Sequence, residues 1–217
     1  MNLKVTLIFA CCIITSALQA QKINLEFLGG PNVSMMYGNF GYHDVNSKAG
    51  LTSGLGLSYM LKEHLSLSVK GLFERKGCTG RYSVYYDYNG DIAASSPFKY
   101  KFRFISNYLT LPITVQYTRG RRIKYTGEAG VFTGVLIRET YKTNQTNGPN
   151  FETTNVTNTS KRMDAGVSLG FRTAFPIAKK ININVVLLDN LGLLNTSKNG
   201  TVRTNAFNIL TGLSFSL

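Results

Sequence analysis

The sequence has 217 residues and a formal net charge of +13, from 24 lysines and arginines against 11 aspartates and glutamates. One β-barrel or sandwich domain commonly has this length, so the sequence predicts a single folded domain. A strong positive charge can indicate nucleic-acid binding, but the export signal described next excludes nucleic acid. For an exported protein, this positive charge favours anionic lipid headgroups or lipopolysaccharide as partners.

Residues 1–20 predict a cleaved secretory signal peptide. Lys4 precedes an apolar run over residues 5–14, and the segment ends with Ala-Leu-Gln-Ala at Ala20, an A-x-A-like cleavage motif. The run is about 10 residues long, whereas a membrane-spanning helix needs roughly 20. Cleavage after Ala20 leaves residues 21–217 as the mature domain.

The cysteines agree with this assignment. Cys11 and Cys12 lie inside the apolar run, which continues beyond them, so a lipidated N-terminal cysteine is the less favoured alternative. Cys78 is then the sole cysteine of the mature chain, and no intramolecular disulfide can form in it although it is exported.

Eight later segments alternate apolar and polar residues with the period of two that is typical of β-strands. In the fourth segment, Leu109, Leu111 and Ile113 share one face, while Thr110 and Thr114 lie on the other. The predicted strands are residues 23–33, 51–61, 64–76, 102–118, 123–137, 163–175, 181–187 and 203–217. No later segment approaches roughly 18 consecutive apolar residues, so a helical membrane protein is excluded.

The connections between these strands alternate strictly between short and long. The short ones are residues 62–63, 119–122 and 176–180, and the long ones are approximately residues 35–49, 78–100, 138–161 and 189–202. Outer-membrane barrels have short periplasmic turns, long extracellular loops and strands that are apolar outside and polar inside. The sequence therefore predicts an all-β, eight-stranded, antiparallel up-and-down transmembrane β-barrel with four long extracellular loops and periplasmic termini.

The polar face of the strands contains too many charges for the core of a soluble barrel. We expect these side chains to form a paired network in a polar lumen, because an isolated buried ion costs several kcal/mol. The residues of this predicted lumen network are Glu26, Lys70, Glu74, Glu128, Asp164 and Arg172.

Several short motifs resemble the PorT-like outer-membrane β-barrel family over essentially the whole mature chain. They are residues 29–33 (GGPNV), 73–77 (FERKG), 107–113 (NYLTLPI), 127–130 (GEAG) and 212–215 (GLSF). The resemblance implies an envelope protein that can be an accessory to protein export. Within the fourth predicted strand, Pro112 predicts a bulge, because proline removes a ladder donor.

The barrel assembly machinery of the outer membrane is a further predicted partner. Barrels that it handles often end in an aromatic residue, whereas this chain ends at Leu217 with Phe215 on the same face. Other envelope proteins are also expected partners of a barrel of this kind.

We find no catalytic, metal or cofactor site in the sequence. His43 with Asp44 and Ser47 can be drawn as a triad, but the composition of a polar loop explains them better. His64 is predicted to lie in a turn, and Cys78 has no neighbour at metal-ligand spacing.

Lys99, Lys101 and Arg103 alternate with aromatic residues near the predicted outer rim, where they can contact lipid headgroups, lipopolysaccharide among them. We therefore expect a non-enzymatic envelope anchor or accessory that acts through its loops and rim. The alternatives are a small-solute channel, a soluble lipocalin-like carrier with its apolar face turned inward, and an enzyme built on the loop at His43.

Overall fold

The computed structural model describes residues 23–39, 44–84, 98–145, 151–198 and 200–217. The predicted signal peptide at residues 1–20 and the loop residue His43 lie outside these ranges. None of the described helices is long and apolar enough to cross a membrane.

Eight long strands close into a barrel in which every neighbouring pair is antiparallel. Consecutive long strands pair with each other, and β1 pairs with β9 to complete the ring. A short strand, β6, is added to β5 beyond the start of β7. The strands are β1 Ile23–Asn39, β2 Asp44–Lys62, β3 Leu65–Val84, β4 Phe98–Arg119, β5 Lys124–Gln145, β6 Glu152–Asn155, β7 Met163–Ala178, β8 Ile181–Gly192 and β9 Thr201–Ser216. The predicted eight-stranded up-and-down barrel is confirmed.

The barrel is apolar outside and polar inside. Leu51 and Leu169 are 63% and 58% exposed on the outer face, whereas Lys70 is 0% exposed in the lumen. Large apolar side chains surround the outer face as a belt, which we call the apolar belt; it includes Phe27, Val33, Leu57, Val69, Phe73, Leu109, Ile113, Val131, Ile137, Phe171, Ile183 and Leu213. The lipocalin-like alternative is therefore wrong, because it requires the apolar face to point inward.

The short connections lie at one end of the barrel, which we call the turn end. They are the turns at residues 63–64, 120–123 and 179–180. Gly120 has φ +119°, and a Cβ at this position would lie 2.0 Å from the carbonyl oxygen of Ile123. His64 lies in the first of these turns, as predicted, with its ring centroid 6.1 Å from that of Tyr117.

At the opposite end, the loop end, the strands continue well past the predicted segments. Much of the predicted loops at residues 35–49, 78–100 and 138–161 is strand, and β1 stays paired with β9 as far as Asn39. We call residues 35–39, 44–48, 75–84, 98–107 and 138–145 the extension. Polar and basic side chains dominate the outer face there, whereas aromatic, apolar and polar side chains share the inner face, so the apolar-outside pattern of the predicted strands ends although the backbone ladder continues.

The predicted bulge at Pro112 is wrong. Pro112 stays in register with Phe132 of β5, and the β3–β4 ladder resumes in the same register on either side of the proline. The irregularity in the β4–β5 ladder lies instead between Asn107 and Tyr108, where β5 has Ile137 as an additional residue. Beyond this bulge the outward positions of β5 change parity, so Arg138 and Lys142 share the outer face with Arg103.

Candidate functional site

The lumen nearest the turn end contains an ion pair between Arg172 and Glu26. The guanidinium of Arg172 contacts Glu26 through Nη1 to Oε2 at 2.8 Å and Nη2 to Oε1 at 3.0 Å. The side chains are 9% and 1% exposed. The Nη2–Oε1 contact is a charge-assisted hydrogen bond, whereas Glu26 Oε2 accepts no hydrogen bond from the described residues.

Further into the barrel, Lys70 and Glu128 form a fully buried ion pair. Lys70 Nζ lies 2.6 Å from Glu128 Oε2, and neither side chain is exposed. The same oxygen accepts hydrogen bonds from Gln116 Nε2 at 2.7 Å and from Thr114 Oγ1 at 3.3 Å. These donors compensate part of the cost of burying a charge.

The third group of charges is centred on Lys76. Its Nζ lies 3.2 Å from Asp164 Oδ2 and 3.4 Å from Glu74 Oε2, above the rings of Phe132 and Tyr108. Hydrogen-bond donors complete the group: Thr110, Asn190 and Asn208 donate to Glu74, and Thr204 donates to Asp164.

The structure thus places all six charged residues of the predicted network inside the lumen, in three separate groups. Sequence analysis missed Lys76, although Lys76 shares the parity of Lys70 and Glu74 and that parity could have identified it.

A second missed lumen charge is Glu139, which is 5% exposed inside the extension. Ser106 and Ser160 both donate to its carboxylate, and its backbone N–H donates to Thr157 Oγ1 at 2.8 Å. Glu139 therefore fastens the segment after β6, with its short 3-10 turn at Thr157–Thr159, to the barrel wall. It was missed because the sequence assigned it to a loop.

Apolar side chains fill the lumen between and above the charges. One buried cluster consists of Leu28, Leu72, Val186, Leu188 and Leu210. A second, in the extension, consists of Met36, Cys78, Phe102 and Val202 with Val45, Tyr82, Phe104 and Tyr141 packed against it. Charged and apolar groups together occupy the lumen at successive levels.

At the turn end the lumen widens into a polar cavity of about 260 Å³. Asn184, which is fully buried, and Ser58 line it, and neither side chain has a hydrogen-bond partner among the described residues. A cavity of this size and polarity can hold water. Arg172, which forms the ion pair with Glu26, lies at the inner end of this cavity.

The predicted rim residues Lys99, Lys101 and Arg103 lie on the outer face of β4, in the parity of the apolar belt. The neighbouring strands place more cations around them. We call the resulting surface the basic face, formed by Arg75, Arg81, Lys99, Lys101, Arg103, Arg138 and Lys142 of β3, β4 and β5.

No group of three or more metal-ligating side chains occurs in the described part of the chain. His64 lies at the turn end, and Asp44 and Ser47 of the hypothetical triad are residues of β2. The position of His43 relative to them lies outside the described residues.

A closed antiparallel ring with an apolar outer face, an ionic interior and short turns at one end defines a transmembrane β-barrel of the outer-membrane type. The sequence profile of the outer membrane protein beta-barrel domain matches residues 19–196, and the chain belongs to this family. Its location is the bacterial outer membrane. Barrels of this type have their short turns in the periplasm and their long loops outside the cell, which assigns the turn end and the loop end to these two sides.

Similar solved structures cover nearly the whole chain at low identity. A major outer membrane protein from Thermus thermophilus is 13% identical with a TM-score of 0.49, over 91% of this chain and 100% of that one. Neisserial surface protein A (NspA) is 12% identical with a TM-score of 0.42, over 90% and 97%. The outer membrane protease OmpT from Escherichia coli is 12% identical with a TM-score of 0.41, over 90% and 97%. No curated protein matches the sequence significantly.

Proposed function

We propose that this protein is a non-enzymatic, non-conducting outer-membrane barrel that serves as an anchor or accessory of the envelope and acts through its extension. The observation that supports this proposal is the lumen, which side chains fill above the turn-end cavity, so that molecules outside the cell can bind only at the outer surface and the loop end.

The lumen contents argue against the small-solute channel. An eight-stranded barrel is just wide enough for side chains to fill. An ion that passes through would have to separate the buried Lys70–Glu128 pair, and the buried side chains of Leu72 and Phe102 obstruct the path at other levels. Separating a buried pair costs several kcal/mol, so spontaneous opening is rare.

The extension supports the second half of the proposal, because it is an ordered surface raised above the apolar belt. Paired strands form its walls, Phe102 and Tyr141 pack inside it, and Glu139 holds the segment after β6 against it. A rigid platform binds a partner at a smaller entropy cost than a free loop.

An accessory role in protein export is the narrower form of this proposal, and it follows from the PorT-like resemblance. Two of the motifs behind that resemblance, residues 73–77 and 107–113, lie side by side on β3 and β4 where the apolar belt meets the extension. Other envelope proteins are the proposed partners of this surface, and the barrel assembly machinery is the proposed partner of the C-terminal strand β9.

Planar-bilayer recording tests the closed lumen. The purified mature protein is expected to give no steady conductance under conditions in which a general porin, as positive control, conducts. A reproducible open-channel current from the pure protein would show that the lumen conducts and would overturn the proposal.

The lipid composition of the outer membrane tests the enzyme alternative. A strain that produces the His43→Ala variant is expected to have the same outer-membrane lipids as the wild-type strain. Disappearance of a lipid species in the variant strain would indicate an enzyme.

Site-specific photocrosslinking in intact envelopes tests the proposed role of the extension. A crosslinking amino acid at Ser83, which is exposed on β3, is expected to capture envelope proteins. The matched control is Arg121, which is exposed in a turn on the periplasmic side. Crosslinks from position 121 with none from position 83 would contradict an extension-mediated role.

A further inference from the structure

We infer that the basic face binds the phosphate groups of a phosphorylated outer-leaflet glycolipid, in a site formed by Arg75, Arg103, Arg138 and Lys142. This inference names a lipid partner for the extension and so rests on the proposed function. It replaces a single basic strand at Lys99, Lys101 and Arg103 with a compact site built from three strands.

The strand register brings the four cations together. Arg75, Asn107 and Arg138 lie directly opposite one another on β3, β4 and β5, and four residues farther from the apolar belt Arg103 lies opposite Lys142. Opposite residues in an antiparallel sheet share a face, and neighbouring strands are about 4.8 Å apart. The four side chains therefore start from a patch about 10 Å wide across the strands and about 13 Å long along them, which is comparable with the headgroup of a phosphorylated glycolipid.

The depth of the site matches the headgroup layer of a membrane. Phe73 and Leu109, exposed members of the apolar belt, lie two residues before Arg75 and two after Asn107. On β5, the bulge turns Ile137 outward immediately before Arg138. A lipid with its acyl chains on the belt would thus have its phosphates beside Arg75 and Arg138, with Arg103 and Lys142 about 13 Å farther out.

No acidic side chain neutralises the site within the described residues. Among the described residues, the lumen carboxylates form ion pairs with Lys70, Lys76 and Arg172. None of these ion pairs includes a cation of the site. Asp44 lies opposite Arg81 on the adjacent strand, and Glu152 pairs with Thr143, which has the opposite parity from Lys142. Like charges in neighbouring positions destabilise a sheet, and a bound phosphate would remove that cost.

The pKa of Lys48 reflects the same uncompensated positive charge. Burial of this side chain lowers its pKa, and the nearby Arg75 and Arg103 guanidinium groups lower the pKa further. The cations at this level therefore repel one another in the protein alone.

Two of the arginines are already held in position. The Arg103 guanidinium lies 4.8 Å from the centre of the Phe151 ring, and Arg75 Nε donates to Asn107 Oδ1 at 3.4 Å. Arginine binds phosphate through two parallel N–H groups, and a guanidinium that is stacked or hydrogen-bonded loses less entropy when it does so. The exposure of Arg75, Arg103 and Arg138 leaves them accessible from the outer leaflet.

The test uses the purified mature protein in detergent, with diphosphorylated lipid A and enzymatically dephosphorylated lipid A as the two probes. Native mass spectrometry or co-purification measures the retained lipid. We expect the wild type to bind the phosphorylated probe roughly tenfold more tightly, as charge-assisted hydrogen bonds to phosphate predict. The variant R75Q/R103Q/R138Q is expected to lose about that factor.

The matched control removes the same number of arginines from the periplasmic turn, in R119Q/R121Q/R122Q, and should bind both probes as the wild type does. R75K/R103K/R138K keeps the charge without the bidentate geometry and is expected to be intermediate. Inorganic phosphate at equal phosphate concentration should compete poorly, because it has no acyl chains to contact the belt.

Heat-modifiable gel migration verifies that each variant is folded, so a loss of binding cannot be attributed to unfolding. Equal retention of the two probes by the wild type, or equal loss in the periplasmic control, would overturn the lipid site. Full competition by inorganic phosphate would also overturn it, in favour of a free-anion site. The conductance and crosslinking results are independent of these outcomes, so the proposed function can stand when the lipid site fails.

Discussion

At the scale of single residues, the charges of the lumen depend on their partners. Lys70 and Glu128 are both fully buried, and each is the main compensation for the charge of the other. A buried pair often contributes little compared with apolar residues of the same volume, but the removal of one partner leaves an uncompensated ion. The two kinds of substitution are therefore expected to have very different effects.

Lys70→Met is expected to lower the free energy of unfolding by about 3–5 kcal/mol, because Glu128 loses its cation. Lys70→Met combined with Glu128→Gln should recover most of this loss, since the glutamine oxygen can still accept from Gln116. Urea unfolding in lipid vesicles, followed by gel mobility because the chain has no tryptophan, measures both. The exposed control Lys124→Met should change stability by less than about 0.5 kcal/mol. A double variant as unstable as the single one would contradict the pairing.

Which residues enter the lumen could be predicted from sequence, but which residues pair could not. Alternation assigned Glu26 and Arg172 to the inside correctly, yet they are 146 positions apart and meet only because the ring closes. Partner choice depends on the register of strands that are distant in sequence. Glu139 escaped prediction because residues 138–161 were assigned to a loop, and the bulge at Ile137 would have given it the wrong parity in an extended fifth strand.

At the scale of elements, the turns on the periplasmic side determine where each hairpin reverses. The β4–β5 turn depends on Gly120, whose φ of +119° is a conformation that side chains with a Cβ rarely adopt. A Cβ there would also meet the backbone oxygen of Ile123 rather than a movable side chain.

Gly120→Ala is therefore expected to destabilise the barrel by at least about 1–2 kcal/mol, the cost of a left-handed conformation for alanine. Urea unfolding in vesicles measures the change. Gly127→Ala is the matched control, because Gly127 lies in the same hairpin with nothing within 4 Å of its added Cβ. Similar stability of the two variants would show that the turn can relax without cost.

The strand cores were predictable because membrane and lumen impose opposite polarities on alternate residues. The extension was not, because water contacts its outer face and polar or aromatic groups fill its interior. Thr79 and Arg103, for example, are paired outward residues in segments whose composition is that of a loop. Pro112 shows the converse error: a residue that usually marks an edge or bulge lies within a continuous β4–β5 ladder, and on the other side the β3–β4 ladder skips Leu111 and Pro112 without a change of register.

At the scale of the whole molecule, the closed ring makes the interior of the extension inaccessible unless the barrel opens. Cys78 lies there, 0% exposed, among Met36, Phe102 and Val202. Burial raises the pKa of its thiol to about 12, with a smaller contribution from the charge of Glu139. At neutral pH the thiol is therefore both protonated and shielded, and only the thiolate reacts rapidly with alkylating reagents.

We expect a maleimide reagent to leave Cys78 unmodified in the folded barrel and to label it when heating converts the protein to the slow-migrating form on gels. Labelling and mobility should change together, because both report opening of the same ring. Ser83→Cys in a Cys78→Ser background is the exposed control and should react before heating. Modification of Cys78 in the fast-migrating form would contradict the packed extension.

The number of labels in the denatured protein also tests the predicted cleavage of the signal peptide. Removal of residues 1–20 leaves one thiol, whereas retention of Cys11 and Cys12 adds two.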